Sequence, residues 1–467
     1  MYISSDPATP RASLAVLLAT SFAFVIVQLD VTIVNVALPR VGAELGAPVS
    51  TLEWVIDAYT VGFAAFLLSA GVIGDKFGSK RAFMSGFSLF ALASIACAAA
   101  PSAMALNIAR AVQGVGAALL VPSSLAILNA TYAHDKNLLA KAVGWWTAAG
   151  GISIAAGPVI GGMLLSLAGW RSIFWVNVPI CVLGFALTYY VVPPMVRTAR
   201  PRHFDIPGQL LSVLALIGFV AAVIEVHALG FSSPAVRGGF ALALVAGTAF
   251  LIVEGRVRAP MLPLTLFRSM RFSGAVMFGV LANFTYYGVI FILSFYLQIV
   301  RGFSVVETGL IFLPLTGTAF FSNIAVGRLS ARFGLRALMV GGGLVGCSGY
   351  TLLGLFGISG HATFLDMLPG LALVPLGMGF AVPAMTTSIL SGVERQQAGT
   401  ASAVLNTARQ VGGATGVAIF GAVVASGAGA SVMSGVRGAM LMSAALLLVA
   451  VAIALWSRAG TATQPGQ

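Results

Sequence analysis

The stretch FAFVIVQLDVTIVNVALP, residues 22–39, is apolar over nearly the length of a membrane span, yet carries Asp30 near its middle. About 20 mainly apolar residues make one span. A carboxylate at that depth costs at least about 2.5–3.5 kcal/mol on insertion scales, so its presence needs a reason. The rest of the chain supplies the setting. Its 467 residues have a mean hydropathy of +1.00 and only 8% are charged, against about 25% in soluble domains. This is the composition of an all-α polytopic membrane protein. Cys97, Cys181 and Cys347 all fall in apolar runs without metal-ligand spacing and are expected to be packing residues. A net charge of +12 raises nucleic acid as a partner. No basic run stands apart from the hydrophobic segments, however, so no nucleic acid is expected. The first apolar run is too long for a signal-peptide core and lacks an A-x-A-like cleavage site, which predicts a retained first helix.

Fourteen apolar segments follow one another, near 14–39, 53–73, 82–99, 103–128, 140–165, 171–191, 206–228, 237–254, 272–297, 306–327, 337–357, 366–390, 400–425 and 436–457. With the N-terminus inside, the basic residues cluster on inner segments: Lys76, Lys80 and Arg81, then Arg256, Arg258, Arg268 and Arg271, then Arg328, Arg332 and Arg336. Outer segments carry Arg40, Arg171, Arg237, Arg301 and Arg437. The bias places both termini in the cytoplasm and accounts for the net charge. The chain also repeats. GVIGDKFGSKR (71–81) is echoed by GRLSARFGLRA (327–337), an offset of 256, and the same offset carries Gly157 onto Gly413. The predicted organisation is a tail (1–13), a six-helix bundle (14–191), two inserted helices (206–254), a second six-helix bundle (272–457) and a tail (458–467). Two related halves around a midplane site describe many secondary transporters.

Within this frame, five segments carry candidate chemistry. LDVTIVNVALP (29–39) holds Asp30, and Asn35 lies about 140° round the helix from it. WVIDAY (54–59) places Asp57 near the outer boundary, either drawing cations to the mouth or sitting in the headgroup layer. In GVIGDKFGSKR, Gly71 and Gly78 allow a tight turn and close helix approach, while Asp75 can accept from basic groups or face a helix N-terminus. The segment lacks the spacing of a phosphate loop, and its second copy has Ala331 in place of Asp75. In LNIARAVQGVGAAL (106–119), Arg110, Gln113 and Ala117 share a helix face, and a buried arginine should meet an acid or a cavity. In GGISIAAGPVIGG (150–162), Gly157 and Gly161 permit backbone contact, Gly162 extends the small-residue face, and Pro158 bends the helix.

These segments, in this order and with WRSIFWVNVPI (170–180), FDIPG (204–208) and YLQIVRGFSVVETGLIFLP (296–314), resemble the major facilitator superfamily. The likeness is to its fourteen-helix drug:proton antiporters, including the quaternary-ammonium and methylenomycin-type resistance exporters. It covers nearly the whole chain. It implies two pseudo-symmetric six-helix bundles plus two inserted helices. It also implies proton exchange or substrate-cation binding at Asp30, tuned by Arg110. The 71–81 loop, with Asp75, Lys80 and Arg81, would latch the outward state. The alternatives at the residues are a hydrogen-bonded tie at Asp30 and a static Asp30–Arg110 ion pair.

The expected cavity lining on the second bundle is Asn283, Phe284, Tyr287, Phe291, Gln298 and Asn323, with Asp30, Asp57 and Gln113 from the first. An apolar-aromatic lining suits bulky amphipathic molecules. The seventh apolar segment (206–228), with Glu225, is expected to be peripheral to the pathway, with Glu225 an interfacial acid or a proton relay. The expectation is a proton-coupled exporter of lipophilic monocationic or neutral drugs, working by alternating access as a monomer in the bacterial inner membrane. Its partners would be protons, lipid and the drug, with no cofactor and no metal. The alternative is export of an endogenous metabolite, lipid precursor or siderophore. An enzyme is disfavoured: there are no paired metal ligands in spans, no nucleophile motif and four histidines.

Overall fold

A computed structural model describes residues 10–132, 136–193, 205–257, 260–391, 393, 398–425 and 430–457. The side chains of Asp75 and Asn323 lie outside the described set, as do residues 1–9 and 458–467 of the expected tails. The described residues form helices throughout. In order they are α1 Pro10–Leu45, α2 Val49–Phe77, α3 Ser79–Ala98, α4 Ala103–Tyr132, α5 Lys136–Ala168, α6 Ser172–Trp175, α7 Asn177–Val191, α8 Ile206–Leu229 and α9 Pro234–Arg256. Then come α10 Met270–Phe295, α11 Val305–Ile311, α12 Leu313–Phe333, α13 Leu335–Leu352, α14 Phe364–Ser391, α15 Ala398–Ala425 and α16 Ala430–Trp456. Among the described residues, ten helices are long and apolar enough to cross a membrane, or eleven if the bent α5 is one span. That bend is 41° between Gly144–Ile154 and Ala156–Ala168. Pro158 sits four residues past its start, where its missing N–H opens the ladder.

The sequence repeat reappears as geometry. Gly78 ends α2 with φ 93° and Gly334 ends α12 with φ 80°. Both lie in the left-handed region that glycine enters without strain, and the two are 256 residues apart. Each closes its helix by donating its N–H four residues back, to the Gly74 and Ser330 carbonyls. Two residues further on, Lys80 donates to the Tyr189 and Val192 carbonyls at the end of α7. Its counterpart Arg336 donates to Ala454 and Leu455 at the end of α16. A cation there satisfies orphan carbonyls and complements the helix dipole. Arg81 is exposed. A Cβ at Gly71 would meet nothing within 4 Å, so the close approach expected at Gly71 is absent and the tight turn rests on Gly78.

Small residues set the helix spacings elsewhere. Gly157 on α5 meets Thr32 and the Ile33 backbone of α1, and Gly161 meets Ile33. Gly114 on α4 lies against the Tyr59–Phe63 backbone of α2, and Gly416 on α15 against Phe284 of α10. Without a hydrophobic force between helices in lipid, such contact is what holds spans together.

The first group of helices (α1–α7) and the last (α10–α16) share one continuous core toward the α1–α2 turn. It runs from Ile33, Leu38 and Trp170 to Phe291, Tyr296 and Ile311. Ser294 Oγ donates to the Asn35 carbonyl and Gln298 Nε2 to Val36 across this seam, at 3.0 and 3.2 Å. Gly309 abuts the Pro158 carbonyl and Gly162 that of Val305. Toward the opposite end, the first group has its own core, from Val16 and Phe83 to Trp146. Helix α8, expected to be peripheral to the pathway, docks against both groups of helices. Val220, Val223 and Ile224 pack with Val61 of α2 and with Ala414 and Ala418 of α15. Gln209 bonds Ser69 and the Ala65 carbonyl of α2.

Candidate functional site

Helix α1 carries Asp30 into the middle of the first group, where it is fully buried. Arg110, from α4, reaches it with Nη1 and forms an ion pair with Oδ2. Gln113, one turn along α4, donates Nε2 to Oδ1 at 2.9 Å, and Asn177 at the start of α7 donates to the same oxygen at 2.8 Å. Ser94 of α3 joins by accepting from Gln113. Arg110 is satisfied in turn. Its Nε donates to the Val55 carbonyl of α2 at 2.8 Å, and Nη1 also meets Gln113 Oε1 at 2.6 Å. The guanidinium lies 4.4 Å from the Tyr59 ring centroid and 5.9 Å from that of Phe174. Four helices thus contribute side chains to one neutral network. A buried charge pair is tolerated only when the remaining polar sites are met, and here the carboxylate's are. In this arrangement Asp30 and Arg110 form the closed ion pair, with no face of Asp30 left for a cationic substrate. Gln113, expected to touch substrate, holds the pair instead. Asn177 is not legible in the sequence: within WRSIFWVNVPI, a lone asparagine after an apolar run carries no local sign of its partner.

Asp57, expected to draw cations to the mouth or to sit in the headgroup layer, is enclosed by protein. It is fully buried, and neither carboxylate oxygen has a hydrogen-bond partner. Glu53, one turn earlier on α2 and also buried, has an unpartnered Oε2 and presses on Gly421 of α15. Glu225 on α8 is an electrostatic neighbour of Glu53. Three acids therefore gather where α2, α8 and α15 meet. Glu53 was not singled out in the sequence because it lies at the predicted edge of its span.

The expected lining of the second group is largely packed. Phe291 is fully buried beside Phe295. Phe284 packs edge-on to Phe420 with centroids 5.4 Å apart. Asn283 is buried and returns its amide to the Gly279 carbonyl of its own helix. These three are core residues here, not lining. Gln298 joins the halves as described above. Tyr287 is only half-buried and lies within electrostatic reach of Tyr59 across the seam and of Arg409 on α15. Asn35 returns its amide to the Val31 carbonyl. No group of three or more metal-ligand residues occurs among the described residues.

The Major Facilitator Superfamily model matches residues 20–417. The chain is 36% identical over 422 residues to the methylenomycin A resistance protein of Bacillus subtilis (strain 168), covering 90% of each. It is likewise 36% identical over 416 residues to the multidrug resistance protein Stp of Mycobacterium tuberculosis (strain ATCC 25618 / H37Rv), covering 89% of this chain and 76% of that one. The structure superposes on the human organic anion transporter MFSD10 with a TM-score of 0.63 and 17% identity, over 96% of this chain and 100% of that one, a likeness of fold. With a family match over most of its length and relatives of this similarity, the chain is a polytopic membrane transporter rather than an enzyme, and it belongs to the major facilitator superfamily.

Proposed function

We propose that this chain is a proton-coupled exporter of drugs or antibiotics, with fourteen spans, both termini cytoplasmic, working by alternating access in a bacterial inner membrane. The drug-resistance names of its relatives support the substrate class. The observation that carries the mechanism is the closed network around Asp30. With Arg110 paired to it, the Asp30 carboxylate has its counter-charge in place. A state change that withdraws α1 from α4 separates the pair, and Asp30 then takes a proton in place of the guanidinium. Arg110 keeps its contacts to Val55 and Gln113 meanwhile, so one partner changes while the other stays solvated by the protein. With the termini inside, the shared core near the α1–α2 turn is the outer gate, and the arrangement is inward-facing. The Pro158 bend and the glycine faces of α5 let that helix slide on α1 and α11.

The test uses inside-out vesicles with a respiration-generated proton gradient and a pH-sensitive dye. Lipophilic monocations and neutral antibiotics are expected to collapse the gradient with wild type and not with Asp30→Asn. Unchanged collapse with Asp30→Asn in membranes holding equal protein would overturn the mechanism. A wild type silent to every compound would favour the metabolite-exporter reading.

A further inference from the structure

Arg409 lies within α15, eleven residues from its start. Its Nε is shut from solvent and has no hydrogen-bond partner. Among the described residues it donates no hydrogen bond and joins no ion pair. Its Cγ packs where a Cβ on Gly279 of α10 would stand, at 3.1 Å. Its electrostatic neighbour is Tyr287. The Tyr287 ring lies over Gly413, where a Cβ would be 3.1 Å away. Arg409 and Gly413 are one turn apart, so guanidinium and phenol share a face of α15.

The acids nearest in kind lie with other neighbours. Asp30 is taken by Arg110. Asp57 and Glu53 have each other and Glu225 as electrostatic neighbours. On the second group, Glu307 closes a capping box with Ser304, and Asp366 caps Thr363. Neither α10 nor α15 contains an Asp or Glu. Arg409 is thus a fixed cation at membrane depth, opposed by a phenol and by no carboxylate of its own helix pair. Such a charge is costly and as a rule marks a pathway or a ligand. A guanidinium matches the two oxygens of a carboxylate with its planar fork, and a phenol adds a donor.

We infer that Arg409 and Tyr287 form a subsite for an oxygen anion or strong acceptor on the transported molecule, such as a carboxylate, an enolate or a conjugated carbonyl. The inference rests on the efflux reading and adds to its cargo: weakly acidic aromatic compounds are bound through this subsite, which permanent cations do not use. Tyr287, in reach of Tyr59, places this subsite beside the seam that separates it from the Asp30 network.

The test measures binding to the purified full chain in lipid nanodiscs at alkaline pH. The probes are nalidixate, its uncharged methyl ester and tetraphenylphosphonium, and transport of each is followed in vesicles. Wild type is expected to bind the acid more tightly than the ester. Arg409→Gln should weaken nalidixate binding about tenfold or more, the scale of one charged hydrogen bond, and leave tetraphenylphosphonium within about twofold. Arg409→Lys should recover only part of the acid affinity, because the charge remains and the fork is lost. If Arg409→Gln loses all three probes through misassembly, the decision falls to Arg409→Lys and Tyr287→Phe, each expected to lower acid binding selectively. Acid affinity unchanged in those variants, or a wild type that moves tetraphenylphosphonium without preferring acid over ester, overturns the subsite while leaving efflux intact. A wild type that moves no probe overturns efflux and the subsite together.

Discussion

The two groups of helices each place an arginine inside the membrane and treat it in opposite ways. On α4, Arg110 is surrounded: a carboxylate, an amide, a carbonyl and two aromatic rings meet it. On α15, Arg409 meets a glycine surface and a phenol. The first arrangement spends its charges on each other, and the second keeps its charge for something else. The same contrast holds between acids. Asp30 accepts from three side chains, whereas Asp57 accepts from none. A group that is fully met holds structure. A charge that is unmet lacks that role and raises the cost of the resting fold.

This contrast can be broken most directly at Arg110. Arg110→Ala leaves Asp30 buried without its cation and should cost about 3–5 kcal/mol, seen as a large drop in thermal unfolding temperature in detergent. Arg409→Ala should cost far less by the same measurement, since no partner is left orphaned. Equal losses would erase the distinction drawn between the two sites.

The glycine contacts sharpen it next. Gly157→Ala drives a methyl into Thr32 and the Ile33 backbone. Overpacking of this kind costs about 1–3 kcal/mol, and transport should fall as α5 loses its seat on α1. Gly413→Ala meets only the Tyr287 ring, which can turn aside. It should therefore unfold close to wild type.

At the acids, Asp57→Asn should not lower the unfolding temperature, because it removes an unpartnered buried carboxyl that costs free energy. Asp30→Asn should lower it, as a neutral amide in that nest leaves Arg110 unbalanced. The smallest effects belong to the caps. Lys80→Ala and Arg336→Ala should each cost under about 1 kcal/mol, equal within error if the two copies do the same work.

Much of this was legible in the residues. Hydropathy gave the helices, and the 256-residue offset predicted the matching turns at Gly78 and Gly334. Arg110 was marked as needing an acid, and Asp30 as the acid that needed a reason. Less legible were contacts made between helices distant in the chain. Asn177 lies 147 positions from Asp30, and nothing local announces their bond. Phe284 and Phe291 show why an aromatic stripe is ambiguous: helical periodicity places rings on a face without saying whether that face meets a cavity or Phe420 and Phe295. Helix α8 was set aside as an insertion because the repeat skips it, yet repeat symmetry says nothing about where extra helices dock. Arg409 stands in no segment with a legible motif, since an unmatched charge is visible only once its surroundings are.

The bonds from Lys80 and Arg336 have a mechanical consequence. Each ties the turn between the second and third long helices of its group to the far end of that group's last helix. Each tie joins only two points on its bundle, and the two ties repeat one another across the 256-residue offset. Under the proposed alternating access, such a tie would keep those two helix ends moving together, like a hinge pin shared by two leaves.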